Sequence, residues 1–300
     1  MRKLPEAISD VEIIMLDNMM TQRYPSLFNL PHGGRYRFYE VDLNTDDFSS
    51  LFQGANAVVH LAALTDAAGS FERSAEVRKN NLSATQTVAE ACIKHQSALI
   101  FPSSTSVYGS SDKRVDEDCP NEDLRPQSPY AETKLQEELL LEQLGSNSGL
   151  RYIVCRLGTI FGVSLGMRFH TAVNKFCWQG SMAQPVTVWK TAMDQKRPYL
   201  ALSDAVRAVT HILTNDLFDN RTYNVLTLNA TVRDIIDEIK IHIPDLELQF
   251  IESEIMNQLS YEVADDRFKG TGFMPKGELE KGIKDTIELL SSAHYGHNLG

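Results

Sequence analysis

The sequence predicts an α/β protein: a doubly wound, mostly parallel sheet with a smaller mixed part. Three observations carry this. Short β-branched, apolar runs alternate with helical segments through the first half of the chain. The runs have the length and composition of strands buried on both faces. After about residue 160 the rhythm changes to shorter strands and more scattered helices.

The strand runs are Val11 to Leu16, ending at Asp17; Tyr36 to Val41, ending at Asp42; Ala57 to Leu61; Ala98 to Phe101; and Arg151 to Arg156. Between them, Ser83 to Lys94 sets Ala84, Val88, Ala91 and Cys92 on one helical face. Tyr130 to Leu144 is rich in Glu, Leu, Lys and Gln, all strong helix formers. Such alternation builds parallel sheets, which bind ligands at the carboxyl ends of their strands. Further on, Thr187 to Trp189, Pro198 to Leu200 and Tyr223 to Val225 read as strands. Asp204 to Thr214, Thr231 to Ile241 (capped by Thr231) and Gly277 to Leu290 read as helices. Ser291 to Gly300 is expected to fray.

The chain has 300 residues, 42% of them hydrophobic, enough for a large core. Its 29 basic and 40 acidic residues give a net charge of −11. That balance argues against nucleic acid and anionic membrane as main partners, since both would be repelled. A few local Arg or Lys residues still suffice for an anionic small molecule. No apolar run reaches the roughly 18 residues of a membrane span, and Met1 to Glu6 contains no signal-like apolar stretch. The four cysteines, Cys92, Cys119, Cys155 and Cys177, form no C-x-x-C pair. They read as reduced thiols of a cytoplasmic protein with no structural metal site.

The sharpest chemical signal is Tyr130-Ala131-Glu132-Thr133-Lys134. Four residues apart on a helix, the two side chains share a face. The lysine ammonium then favours the phenolate, bringing a group with a reference pKa near 10 into use around neutral pH. Such pairs are common on solvated helices, so the spacing alone carries little. Its context adds weight. Phe101-Pro102-Ser103-Ser104-Thr105-Ser106-Val107-Tyr108-Gly109 leaves the end of a buried strand, where open sheets place their sites. A hydroxyl there can hydrogen-bond a substrate oxygen as charge moves.

Taken together, the segments Leu16-Asp17-Asn18, Val41-Asp42-Leu43, Val59 to Ala63, Asn80-Asn81-Leu82, Ser103 to Gly109, Ser128 to Lys134, Arg197-Pro198-Tyr199 and Tyr223-Asn224-Val225 resemble the extended short-chain dehydrogenases/reductases. Within that family they resemble the NAD-dependent sugar-nucleotide epimerase/dehydratase group. They follow the family's order over nearly the whole chain. The resemblance implies a Rossmann-like NAD-binding part over residues 1–160 and a mainly substrate-binding part over 161–300, with about 197–226 returning to the sheet. It implies Tyr130 as acid/base, Lys134 as its partner and ribose ligand, and Ser104 in the catalytic hydroxyl slot. Asp17 and Asn18 would meet the adenosine ribose, the Asp17 carboxylate favouring NAD over NADP. Asp42 and Leu43 would flank the adenine. Leu61, Ala62 and Ala63 would run close to the cofactor, and Asn81 would brace the sheet or an active-site water. Thr105, Thr159, Arg168 and Arg197 would contact a nucleotide-sugar substrate, with Arg197 on its diphosphate. Apart from that resemblance, Asp17 reads as a turn residue and Arg197 as an ion pair with Asp194 or Asp204. A homodimer through paired helices, including the Tyr130 helix, is implied by the resemblance alone.

Two departures stand out. The family's opening strand and G-x-x-G-x-x-G turn, which sets the pyrophosphate at a helix N-terminus, has no match in this sequence. Gly33-Gly34 falls in a loop after the Asp17 strand and is no substitute. Either the natural start lies upstream or this form lacks the first strand and its phosphate cradle. The second departure is Thr159, which stands where the family usually has Asn.

Dehydratases of the family carry carboxylates directly after the catalytic hydroxyl, and decarboxylases usually one Glu. Here those positions are Thr105 and Ser106. Elimination then lacks its acid and base, whereas epimerisation needs only proton and hydride transfer. The expectation is a nucleotide-sugar epimerase. A dehydratase, decarboxylase or reductase of the same family, or a catalytically silent nucleotide-binding protein, is the alternative.

Overall fold

The structure is a computed structural model that describes residues 1–65, 69–109, 114–251 and 260–291. In chain order the first elements are α1 (Leu4–Ala7), β1 (Glu12–Asp17), β2 (Arg35–Glu40), β3 (Ala57–Val59), α2 (Ser74–His95), β4 (Ala98–Ser104), β5 (Arg114–Val115), α3 (Pro129–Ser148) and β6 (Tyr152–Leu157). There follow β7 (Thr159–Phe161), α4 (Ala172–Ser181), β8 (Val186–Trp189), β9 (Lys196–Ala201), α5 (Leu202–Thr214), β10 (Thr222–Val225), β11 (Leu228–Thr231), α6 (Val232–His242), β12 (Leu248–Ile251), β13 (Glu262–Val263), α7 (Asp266–Lys269) and α8 (Leu279–Leu290). They gather into two compact units. The first takes Met1–Val107, Pro126–Arg156 and Val206–Tyr223; the second takes Tyr108–Arg125, Leu157–Ala205 and Asn224–Gly300.

In the first unit, β1 and β2 pair in parallel from Glu12 with Arg35 to Asp17 with Glu40. A four-stranded sheet runs in the order β10-β6-β4-β3, with β3 and β4 parallel from Ala57 with Ala98. The α2 face carrying Ala84, Val88 and Cys92 is buried. Val88 and Cys92 join Leu99 and Phe101 of β4, Val154 of β6 and Leu141 of α3 in one core. Each such side chain contributes roughly 1.5–3 kcal/mol on burial. Gln96, in the left-handed conformation at φ +58°, closes α2.

The helix of Ser83 to Lys94 starts nine residues earlier than expected, at Ser74. Its added turns bury Val77 and Asn81, an apolar and a polar residue that periodicity alone does not join. Of the five runs expected to be buried on both faces, β4 and β6 are so packed, but no residue of β1, β2 or β3 is fully buried. The reason lies in the pairing. Among the described strands, β1 bonds only to β2 and β3 only to β4, so each keeps a flank open.

In the second unit, β9 is the central strand, parallel to β7 and antiparallel to β11. Phe161, Tyr199, Val173, Cys177, Ile236 and Ile283 centre its core. Helix α6 begins with the expected Thr231 cap, completed by Asp234 into a capping box. Helix α4 was not foreseen from the sequence. It is short and ends near Gly180, where a side chain would meet Leu246 and Ile243. Residues 292–300 of the expected frayed tail lie outside the described residues.

All four cysteines are free. Burial pushes the Cys92, Cys155 and Cys177 thiols up to about 12, so they stay protonated and unreactive near neutrality. Among the described residues, no helix is long and apolar enough to cross a membrane.

Candidate active site

Helix α3 begins where Ser128-Pro129 dictates. The Ser128 hydroxyl accepts the Ala131 N–H at 3.2 Å, and proline occupies the first turn. Tyr130 therefore sits at the helix start, half-buried, with its own N–H donating to Ser70 Oγ at 3.4 Å. Lys134 lies one turn further on and is only 2% exposed. Its ammonium lies 3.3 Å from Glu137 Oε2 and 4.4 Å from the centre of the Phe101 ring. Since Phe101 belongs to β4, the lysine ties α3 to the strand that delivers Ser104.

Ser104 ends β4. Its Oγ lies 2.8 Å from Ser106 Oγ and accepts the Ser106 N–H at 3.2 Å. This local turn orients the hydroxyl at the carboxyl end of the strand, half-exposed. Thr105 is turned inward and is 2% exposed.

Beneath the helix lies a chain of buried polar groups from three elements. His60 Nε2 is 3.0 Å from Thr85 Oγ1, and that hydroxyl donates to Glu137 Oε1 at 2.5 Å. Burial, aided by the positive charge of Lys134, lowers His60 to about 3, so its imidazole is neutral. One residue on, Glu138 takes the Arg156 guanidinium at 2.7 Å and a hydrogen bond from the Ser103 hydroxyl.

At the carboxyl ends of β1 and β2 a second polar chain forms. Exposed Asp17 accepts the Met19 N–H at 2.7 Å through Oδ1. Asn18 Nδ2 lies 3.4 Å from Asp42 Oδ2, while Asp42 Oδ1 accepts the Asn44 N–H at 2.9 Å. Asn44 donates to Asn80, and Asn80 to Asn81, at 3.0 and 3.1 Å. Fully buried Asn81 then clamps the Leu64 backbone, accepting its N–H at 2.8 Å and donating to its carbonyl at 3.1 Å. That clamp fixes the segment after β3. There Leu61 is 71% exposed and Ala62 and Ala63 are half-buried, while Leu43, which follows β2, packs on the unit's core.

Among the residues expected on the substrate, Thr159 opens β7 opposite Tyr199, and Arg197 lies on β9 opposite Ala230. Arg168 lends its carbonyl to Asn174 Nδ2 at 3.1 Å. All three are partly exposed and belong to the second unit. Of the carboxylates considered for Arg197, Asp194 is held by Arg233 at 2.7 Å, and Asp204 accepts from Thr227, Lys276 and Gly277.

Sequence reasoning missed Glu137, Thr85 and Asn44, and gave Asn80 no role of its own. A signal for Glu137 existed. It follows Tyr130 by seven residues and Lys134 by three, on the same helical face.

These residues fit two ends of a dinucleotide. An exposed carboxylate at the end of a parallel strand suits ribose hydroxyls, and Ala62 and Ala63 leave room for close approach. Tyr130, Lys134 and Ser104 suit a nicotinamide and a reacting hydroxyl. For the pyrophosphate, the 300 residues supply no G-x-x-G-x-x-G turn.

Comparison with known proteins identifies the family. The NAD dependent epimerase/dehydratase family matches residues 9–225. A Bacillus subtilis protein described as an uncharacterized UDP-glucose epimerase, YtcB, is 30% identical over 204 residues, covering 67% of this chain and 62% of its own. The Arabidopsis thaliana trifunctional enzyme RHM3, a UDP-glucose 4,6-dehydratase with epimerase and reductase activities, is 26% identical over 95% of this chain and 44% of its own. The chain thus spans less than two thirds of either relative. Bos taurus dTDP-D-glucose 4,6-dehydratase is 24% identical over 95% of this chain and 82% of its own. In fold, the chain superposes on Bacillus cereus UDP-glucuronic acid 4-epimerase with a TM-score of 0.84 at 22% identity, covering 94% of this chain and 91% of the other. Thermotoga maritima UDP-glucose 4-epimerase gives 0.79 at 24% identity, with 92% and 90% covered. The match over residues 9–225, well over half of the chain, leads to one conclusion: the chain belongs to the NAD dependent epimerase/dehydratase family, whose members are nucleotide-sugar enzymes.

Proposed function

We propose that this protein epimerises a nucleotide sugar through a keto intermediate, in the cytoplasm, with residues 1–160 mainly serving the cofactor and 161–300 mainly the sugar. The observation that carries the reading is the makeup of the turn after β4. Ser104 presents a hydroxyl, and the two residues that follow, Thr105 and Ser106, carry no charge.

NAD, when bound, supplies a hydride acceptor that becomes the donor on return. Tyr130 takes the proton from the sugar hydroxyl as the carbon–hydrogen bond breaks, and gives it back when the sugar is reduced on its other face. Ser104 donates to the same oxygen while it is a carbonyl. Lys134 favours the phenolate and binds the nicotinamide ribose. Asp17 and Asn18 hold the adenosine ribose, with Asp42 and Leu43 beside the adenine. Thr159, Arg168 and Arg197 serve the substrate, Arg197 as a planar fork for its diphosphate. A dehydratase reading draws on the likeness to the Bos taurus dehydratase over 95% of this chain.

The test is incubation of the purified protein with NAD and either UDP-glucose or UDP-glucuronic acid, followed by NMR of the sugar. Inversion at one carbon supports the reading, whereas loss of water would establish the dehydratase. Tyr130→Phe should lower turnover by about 10²- to 10⁴-fold. Undiminished turnover in that variant overturns the mechanism.

A further inference from the structure

We propose that Glu137 is a positioning residue for Lys134: it holds the ammonium by a buried ion pair and tempers the positive charge that reaches Tyr130. This deepens the proposed epimerase reading and rests on it.

Tyr130, Lys134 and Glu137 follow one another at i, i+4 and i+7, so they line one face of α3. Glu137 is wholly buried, and Lys134 nearly so. A carboxylate in such a place is expensive unless a charge or hydrogen bonds meet it. Thr85 supplies one hydrogen bond, to Oε1. Among the described residues, Oε2 has no hydrogen-bond partner, and its near cation is Lys134 at 3.3 Å. The Phe101 ring closes the other side of the ammonium.

The surrounding charges leave this pairing intact. His60 reaches Glu137 only through Thr85 and is neutral. Glu138 is occupied by Arg156. Glu132, on the same helix, faces Arg78 at 3.5 Å near the surface. The pair therefore does two things. It fixes Lys134 against Phe101 and so relative to β4, which carries Ser104. It also sets a negative charge about 10 Å, two helical turns, beyond Tyr130. At an effective dielectric near 20, a unit charge at that distance moves a titration by about one pH unit.

Two measurements decide the matter. The first uses no turnover: urea unfolding of the wild type, Glu137→Gln, Lys134→Met and the double variant. Glu137→Gln is isosteric and keeps an acceptor for Thr85. The expected result is that each single change lowers the midpoint and the double variant loses less than half of the summed loss. Additive losses overturn the ion pair. Should Lys134→Met fail to fold, Lys134→Gln replaces it in the same cycle.

The second is the pH profile of kcat with UDP-glucose and NAD. In Glu137→Gln the limb that reports Tyr130 should move about one pH unit towards acid, while Glu137→Asp, which keeps the charge, should retain the wild-type limb at lower kcat. A merely structural role would leave the limb unmoved, and that result overturns the proposal. If Tyr130→Phe leaves turnover undiminished yet the unfolding cycle shows coupling, the epimerase mechanism falls and the anchoring of Lys134 by Glu137 stands.

Discussion

Arg156 reaches across from β6 to grip Glu138 of α3 inside the first unit, Nη2 to Oε2 at 2.7 Å and Nε to the two carboxylate oxygens at 3.1 and 3.2 Å. Both side chains are buried, and the Ser103 hydroxyl completes the Oε1 shell. Such a pair stabilises little relative to apolar residues of equal volume, but breaking it leaves a lone buried charge. Glu138→Gln and Arg156→Met are each expected to cost about 3–5 kcal/mol in chemical denaturation. The two changes together should cost clearly less than their sum. Additive losses would show that the guanidinium and carboxylate act independently.

His60 makes stability depend on pH in a defined window. Burial, the larger cause, and the Lys134 charge hold its folded-state pKa at about 3, below the reference value of 6.5. The neutral imidazole is therefore the folded form. Above pH 6.5 both states are neutral and the residue adds no slope. As pH falls below 6.5, the unfolded chain binds a proton that the folded chain refuses, so stability drops by up to about 1.4 kcal/mol per pH unit. The loss levels off only near pH 3. His60→Gln should flatten denaturation midpoints between pH 6.5 and 5, above the range where carboxylates titrate. An equally steep wild-type and variant profile would mean that His60 is not the group responsible.

How much of this was legible in the sequence depends on the forces involved. Strands such as β4 and β6 were readable because Leu99, Phe101, Ile153 and Val154 declare burial by composition alone. Ser104, Tyr130 and Lys134 could be singled out because the motifs around them resemble a known family in chain order, whereas the Tyr-x-x-x-Lys spacing alone is common on solvated helices. Glu137 was not, since a glutamate on a helix is ordinarily solvated and only the arrival of Thr85 from α2 makes it interior. The link from Asn44 to Asn80 escaped for the same reason: that hydrogen bond joins residues 36 apart. The half-open state of β1 and β3 follows from which strands pair, and local pattern says nothing of that.

Two glycines with positive φ should respond differently to the same substitution. At Gly54, with φ +81°, an added Cβ would meet nothing within 4 Å, so Gly54→Ala carries backbone strain alone, about 1 kcal/mol. Gly109, at φ +70°, is buried, and a Cβ there would overlap the Arg125 carbonyl. Gly109→Ala must add the cost of moving that backbone, and the expected loss is about 3 kcal/mol or more. Equal losses in thermal or urea unfolding would mean that the Arg125 segment yields freely.

Asp17 offers a way to separate a turn residue from a cofactor ligand. Its Oδ1 accepts the Met19 N–H, a contact that shapes the chain as it leaves β1. Asp17→Asn keeps an oxygen acceptor for that bond but removes the charge, while Asp17→Ala removes both. Stability should thus fall by about 1 kcal/mol in the alanine variant and hardly at all in the asparagine variant. Cofactor choice should follow charge instead. With the carboxylate gone, ribose hydroxyls lose a charged acceptor and a 2′-phosphate loses its repulsion. The ratio of NADP to NAD affinity, from calorimetric titration, is expected to rise about tenfold in both variants, an energy near 1.4 kcal/mol. An unchanged ratio in Asp17→Asn would leave Asp17 as a turn residue only, and the ribose contact would have to be sought elsewhere along the carboxyl ends of β1 and β2.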